Sequence, residues 1–231
     1  MNTQTLKTVA ILITGMVAIS FAAIFIRFCD DVPAIMIATY RLCIASAVLL
    51  AVFRIKGLSL RGIDRKDLFL SFLGGVFLSL HFITWITSLK YTSVASSVVL
   101  VTTNPIFVGI LSWFLLREKQ NIELILGIVL CFLGSVLIAL GDSGMHGTIL
   151  TDKALTGDML ALAGAVMASG YLIVGSRVRE RLDILTYITV VFSISAILLL
   201  ITSLVLHIPF TGYKPDSYIF LVLLAVVPQL I

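Results

Sequence analysis

The chain has 231 residues, of which 60% are apolar and 12% charged, with a formal net charge of +4. An ordinary soluble domain has about 45–50% apolar and about 25% charged residues, so this composition excludes a soluble enzyme, a disordered chain and a disulfide-stapled secreted module. The strands of a β-barrel would alternate rather than run apolar, which leaves an all-α, polytopic helical membrane protein.

Charge-free windows mark the predicted spans, since a helix needs about 20 residues to cross ~30 Å of hydrocarbon. The first window is 9–26. It is too long for the apolar core of a signal peptide and lacks a small-x-small exit before Asp30 and Asp31, so it reads as a retained helix. The second, 32–40 with 42–53, spans only if Arg41 is counted inside it. Arg41 would then lie ~10 Å below the outer surface. It reads either as a strut snorkelling to helix-end carbonyls or as a substrate contact.

The third window, 68–89, carries His81 and Trp85 four residues apart and therefore on one helix face. His81 would sit ~20 Å from the cytoplasmic side. An imidazole there can serve a proton-coupled cycle or act as a hydrogen-bonded packing group. Trp85 reads as a cavity wall or as an interfacial belt residue. The fourth window, 91–116, holds Asn104-Pro105 near its middle. Pro105 removes a backbone N–H and frees an earlier carbonyl, so a kink is expected. Asn104 can hydrogen-bond across helices or to a ligand. Glu118, between Arg117 and Lys119, reads as an interfacial ion pair, with a gate as the other reading.

The fifth window, 124–141, carries Gly127, Gly134 and Gly141, seven apart, a small-residue stripe suited to close helix packing. A polar Gly/Ser/Thr/Asp stretch, 142–158, follows. The sixth window, 159–176, brings Ser169 and Tyr171 among small residues, where Tyr171 faces a cavity or simply packs. The seventh is 184–213 and the eighth, 217–231, has 15 residues and carries Pro228-Gln229, a further local break. A complete eighth helix would need about five more apolar residues. The expectation is therefore seven full spans and the start of an eighth, in an apparently truncated chain. Cys29, Cys43 and Cys131 show no CxxC spacing and read as small apolar helix residues.

Loop charge sets the expected orientation. Lys7, five basic residues in 54–67, Arg117, Lys119, Arg177, Arg179 and Arg181 fall on one side, eleven in all; Arg27, Lys90, Lys153 and Lys214 fall on the other. This places the N-terminus in the cytoplasm of a multi-pass cell (inner) membrane protein, and it accounts for the positive charge without a nucleic-acid partner.

Weak internal matches support a repeat. Gly15, Val17, Ser20 and Ile24 align with Gly164, Val166, Ser169 and Ile173 at an offset of 149, and Thr39, Ile44, Leu49 and Leu50 align with Thr189, Ile194, Leu199 and Leu200 at 150. A five-span unit is odd-numbered, so its copy enters from the opposite face, as in transporters that bind substrate between inverted halves. The expected units are 1–141, a connecting external loop at 142–157, and an incomplete second unit at 158–231.

The motifs Tyr91-Thr92-Ser93-Val94-Ala95, Asn104-Pro105-Ile106-Phe107 and Leu116-Arg117-Glu118, with Gly127, Gly134 and Gly141, resemble the pattern that closes the first five-span unit in the EamA family of the drug/metabolite transporter superfamily. Arg41 in Ala38-Thr39-Tyr40-Arg41 resembles the family's arginine in the second span. The resemblance implies a 5+5 inverted repeat, with about seven and a half of its ten helices in this chain, and movement of small metabolites. The alternative is a truncated or inactive member without transport. No phosphate loop, HExxH or GxSxG pattern occurs, so no catalytic residue, metal or cofactor is expected. The expected partners are a small-molecule substrate, the lipid bilayer and a coupling proton. The substrate-pathway candidates are His81, Trp85, Asn104, Arg41 and Tyr171. Amino acids, amines, purines and aromatic drugs all fit that set.

Overall fold

The computed structural model describes residues 3–60, 62–117, 121–146 and 152–230, and among these every regular element is a helix. They are α1 (Thr3–Phe28), α2 (Ala34–Ile55), α3 (Arg65–Tyr91), α4 (Val94–Val101), α5 (Asn104–Leu111) continuing into a π-helical turn (Ser112–Leu116), α6 (Ile122–His146), α7 (Asp152–Val178), α8 (Ile184–Val205) and α9 (Pro215–Leu230). Among the described residues six helical segments are long and apolar enough to cross a membrane, with α4, α5 and the π turn counted together as one. α9, at 16 residues, is shorter.

Local chemistry sets the helix ends. Asp64 caps α3 at the Lys66 N–H, Ser93 caps α4 at Ser96 and Asp183 caps α8 at Thr186, each offering a side-chain oxygen to an otherwise unpaired first-turn donor. α2 and α8 both have 22 residues and stop in the same way 150 residues apart. Gly57 (φ +64°) and His207 (φ +53°) turn left-handed. Leu58 N–H then bonds Phe53 O and Ile208 N–H bonds Ser203 O, each across five residues. This cap satisfies the last carbonyls. It corrects the seventh window: hydropathy ran on to 213, but α8 ends at Val205. The helices also reach further into 142–158 than the charge-free windows do, since α6 runs to His146 and α7 starts at Asp152.

The equivalent helices α2 and α8 pack antiparallel. Thr39 Oγ1 lies 2.9 Å from Ser203 Oγ, while seven residues on Ser46 Oγ lies 2.9 Å from Ser193 Oγ, further back along α8. Around this central pair α3 lies along α7 and α1 lies along α9; α3 also touches α8, and α2 touches α9. Adding 150 to one partner and subtracting it from the other exchanges these pairs. The end contacts obey the same exchange: Arg181 Nη2 to Asp67 Oδ1 at 2.6 Å corresponds to Asp31 Oδ1 accepting from Ser217 Oγ at 2.6 Å.

The core follows these contacts: Ile37, Leu42, Ala45, Ile86, Val191 and Leu199 are all fully buried. The outward faces of α1, the π turn after α5, and α6 carry exposed apolar side chains such as Ile11, Met16, Trp113, Leu130 and Leu137, as suits helices bathed in hydrocarbon. The glycine stripe of α6 is a correction. Among the described residues a Cβ on Gly127 or Gly134 would meet nothing within 4 Å, whereas the Ile128 tip stands 3.6 Å from a Cβ on Gly109. The side chain position of Gly141, and the residues Glu118 and Lys119, lie outside the described residues.

Candidate functional site

The close approach of α3 and α7 places two of the predicted residues. A Cβ on Gly164 would stand 3.2 Å from Thr84 Oγ1 and 3.3 Å from Trp85 Cβ, so glycine lets the backbones come together here. His81 Nδ1 then lies 2.9 Å from Gly164 O. A carbonyl can only accept, so Nδ1 carries the hydrogen. The imidazole stacks on Trp85, with centroids 5.8 Å apart and planes 15° apart. Trp85 is buried within the protein at 8% exposure, which rules against the interfacial belt, and its Nε1 has no hydrogen-bond partner among the described residues.

Arg41 projects from α2 and is 4% exposed. Its Nε donates to Gln229 Oε1 at 2.7 Å, and its guanidinium carbon sits 4.4 Å from the Phe82 ring centroid. Its Nη1 is buried without a partner among the described residues. A strut would place the guanidinium on helix-end carbonyls; the bond formed here goes to a side-chain amide instead.

The fourth span is interrupted. α4 ends at Val101 and α5 begins at Asn104, with Thr102 and Thr103 between them and Pro105 in the first turn of α5, where its missing N–H breaks no helical bond. Thr102 and Thr103 hydroxyls bond back to Val99 O and Leu100 O, and Ser169 Oγ on α7 donates to Asn104 O at 3.0 Å. The break is thus tied to α7. On the same helix Tyr171 stacks on Tyr187, with centroids 6.3 Å apart and planes 15° apart.

These residues converge. Arg41, His81, Trp85, Asn104 and Tyr171 all line one cavity of about 410 Å³, together with Ser20, Phe82, Phe192, Pro228 and Gln229. The size falls in the range of small-molecule pockets, roughly 300–1,000 Å³. Gln229 and Phe82 were not among the candidates. Gln229 carried a signal, a lone amide in an apolar run, but its partner is 188 residues away; Phe82 looked like any other aromatic of its span.

Polar contacts brace the ends of the bundle. At one end Arg27 donates to Thr92 O, Lys90 to Cys29 O, and Thr92 and Ser96 hydroxyls to Asp158 Oδ1 at 2.8 and 2.7 Å. At the other, Asp67 pairs with Arg181 and pushes that guanidinium up from its usual range. Burial pushes the Cys29 thiol up to about 11, which keeps it protonated and inert as a small apolar group.

Comparison with known proteins places this arrangement. The profile of the EamA-like transporter family matches residues 6–140. The chain is 33% identical over 140 residues to the uncharacterized transporter YetK of Bacillus subtilis, covering 59% of this chain and 41% of that protein. It is 29% identical to an uncharacterized transporter of Archaeoglobus fulgidus, over 71% of this chain and 55% of that protein. It is 25% identical to the mouse protein solute carrier family 35 member G1, over 71% of this chain and 46% of that protein. Its matched region thus spans about half the length of these relatives. A solved crystal structure, 20% identical, superposes with a TM-score of 0.71 over 94% of this chain and 72% of its own, a likeness of fold.

Proposed function

The chain belongs to the EamA-like transporter family, and from that premise we propose that it is a secondary transporter of small organic metabolites that works by alternating access. The observation that carries the reading is the convergence of Arg41, His81, Trp85, Asn104 and Tyr171, from four helices, on one cavity in a bundle of apolar helices. A polar group facing lipid unsatisfied costs several kcal/mol, so polar side chains turned inward onto a cavity suit a solute path. We propose residues 1–141 and 158–231 as the two repeat units, joined outside the cell through 142–157. The antiparallel α2–α8 pair supports this, because rocking one unit against the other would open the cavity to alternate faces. With the N-terminus in the cytoplasm of the cell membrane, a reporter that fluoresces only in the cytoplasm should shine when fused at Ile63 and stay dark after Gly144. A bright fusion at Gly144 reverses the orientation.

A gradient is the proposed energy source, with His81 as the proton-coupling group. The test is uptake into proteoliposomes containing the purified chain, with and without an imposed pH gradient, screened against an amino-acid and metabolite panel. Accumulation of a solute that the gradient drives, and that His81→Ala abolishes while the protein stays inserted, supports the reading. Gradient-driven uptake unchanged in His81→Ala between pH 6 and 8 removes the coupling role and leaves His81 as a packing group on Gly164. No movement of any solute across the panel overturns transport.

A further inference from the structure

Two residues on the cavity wall carry buried hydrogen-bond donors that no described residue answers. Arg41 Nη1 and Trp85 Nε1 are buried without partners among the described residues, on residues only 4% and 8% exposed, and both residues line the same cavity. Guanidinium and indole nitrogens can only donate, so what completes them must accept. Arg41 is also a charge. Its bonded neighbour is the neutral amide of Gln229, and the face of the guanidinium is covered by Phe82, which leaves the edge carrying Nη1 for another group. Among the described residues the cavity lining holds no aspartate or glutamate. A buried cation without an anion is costly in a low-dielectric bundle, and an anionic acceptor relieves it most. Leu78, Val101, Ala168 and Phe192 make the rest of the wall apolar.

We propose that this cavity takes a small organic carboxylate with an apolar body, its carboxylate held by Arg41 Nη1 and Trp85 Nε1. The proposal rests on the cavity being the solute site, and it narrows the substrate from any small metabolite to an acid. Gln229 acts as a positioning residue: its Oε1 accepts from Nε and fixes the guanidinium on the cavity wall. Amines are disfavoured, because they would place a second cation beside Arg41 with no carboxylate among the described lining residues to receive it.

The experiment is calorimetric titration of the purified full chain in detergent with phenylacetate, its neutral isostere phenylacetamide, and phenethylamine. Phenylacetate should bind at least about tenfold more tightly than either, the margin of a charge-assisted hydrogen bond. Arg41→Gln should erase that margin, and Trp85→Phe, which removes the donor but keeps an aromatic ring, should reduce it. Gln229→Glu supplies the missing anion within the protein and should also erase it, which gives a readout should Arg41→Gln fail to fold. Equal binding of the amide or amine, no binding of phenylacetate, or a margin untouched in Trp85→Phe and Gln229→Glu overturns the proposal. Failure here is separable from failure of transport. A carboxylate preference without movement into liposomes sinks transport alone, whereas movement of amines or neutral solutes with no such preference sinks this proposal alone.

Discussion

The α3–α7 seam and the α1–α9 seam occupy equivalent places, yet they are built from different side chains. On α7, Gly157, Gly164, Gly170 and Gly175 face α3 or α8, and a Cβ at the first three would stand 2.8 Å from Thr92, 3.2 Å from Thr84 and 2.9 Å from the Phe77 ring. The α1–α9 seam is aromatic: Phe28 stacks on Phe220 at 4.8 Å and Phe25 lies tilted against it at 6.1 Å, while a Cβ on Gly15, which aligns with Gly164 in sequence, would meet nothing within 4 Å among the described residues. Half of the apolar window of α7 is buried, against 22% for α1. One helix pairing can thus be held by backbone proximity or by ring contact. The seam of close backbone approach is the one that holds His81 and Trp85.

The largest effect should come from filling the close seam. Gly157→Leu drives a side chain into the Thr92 backbone N, 2.8 Å from where its Cβ would stand. It should destabilise the protein by about 1–3 kcal/mol or more, read as denaturant unfolding in detergent. Gly15→Leu at the aromatic seam should stay within ~0.5 kcal/mol. Equal losses from the two substitutions would erase the distinction between the seams.

Next come the end contacts. Arg181→Ala leaves the Asp67 carboxylate, 3% exposed, without its counter-charge. Asp31→Ala removes only a bond to Ser217 Oγ and one to the Lys214 N–H at a half-exposed site. Thermal melts should rank Arg181→Ala clearly below Asp31→Ala, and the reverse order would break the comparison. Phe220→Ala should cost less than Gly157→Leu, about 0.5–1.5 kcal/mol. Lipid is as apolar as the ring, so only stacking is lost.

The smallest effect concerns Asp30 and Lys214, 2.9 Å apart and both largely exposed. The hydrogen bond from Lys214 holds the Asp30 carboxyl below the usual carboxylate range. Its contribution is therefore present above the ordinary carboxylate pKa and fades as the pH falls through the lowered value. Added salt should remove it at any pH. Melting curves of Lys214→Ala and the parent chain should converge at high salt, and a difference that survives there would mean the pair is less exposed than its geometry indicates.

Much of the fold was legible because it depends on local quantities. Apolar length and the absence of charge locate the helices, and Asp64, Ser93 and Asp183 mark three of their starts. The offset of 150 was visible in scattered identities such as Thr39 with Thr189. Hydropathy did not see the left-handed turn at His207, because a backbone cap is invisible to a scale that counts only side chains. The candidate site was legible as a set of costly polar residues in apolar runs, Arg41, His81 and Asn104 among them. Their partners were not.

Sequence by itself determined that this chain is a bundle of membrane helices with a repeat of about 150 residues and a handful of polar groups that could not face lipid. Tertiary structure alone decided which glycines matter: Gly127 and Gly134 share the spacing of a packing stripe and face open space, while Gly157, Gly164 and Gly170 meet α3. It also decided that Arg41 bonds Gln229, 188 residues on, and that its Nη1 and the Trp85 Nε1 are buried without partners among the described residues, on side chains that line one cavity. The physical reason is the range of the forces. Helix formation and burial in lipid are settled within a few turns of chain, whereas a hydrogen bond needs its partner within about 3 Å, and only the packing of distant helices fixes that distance.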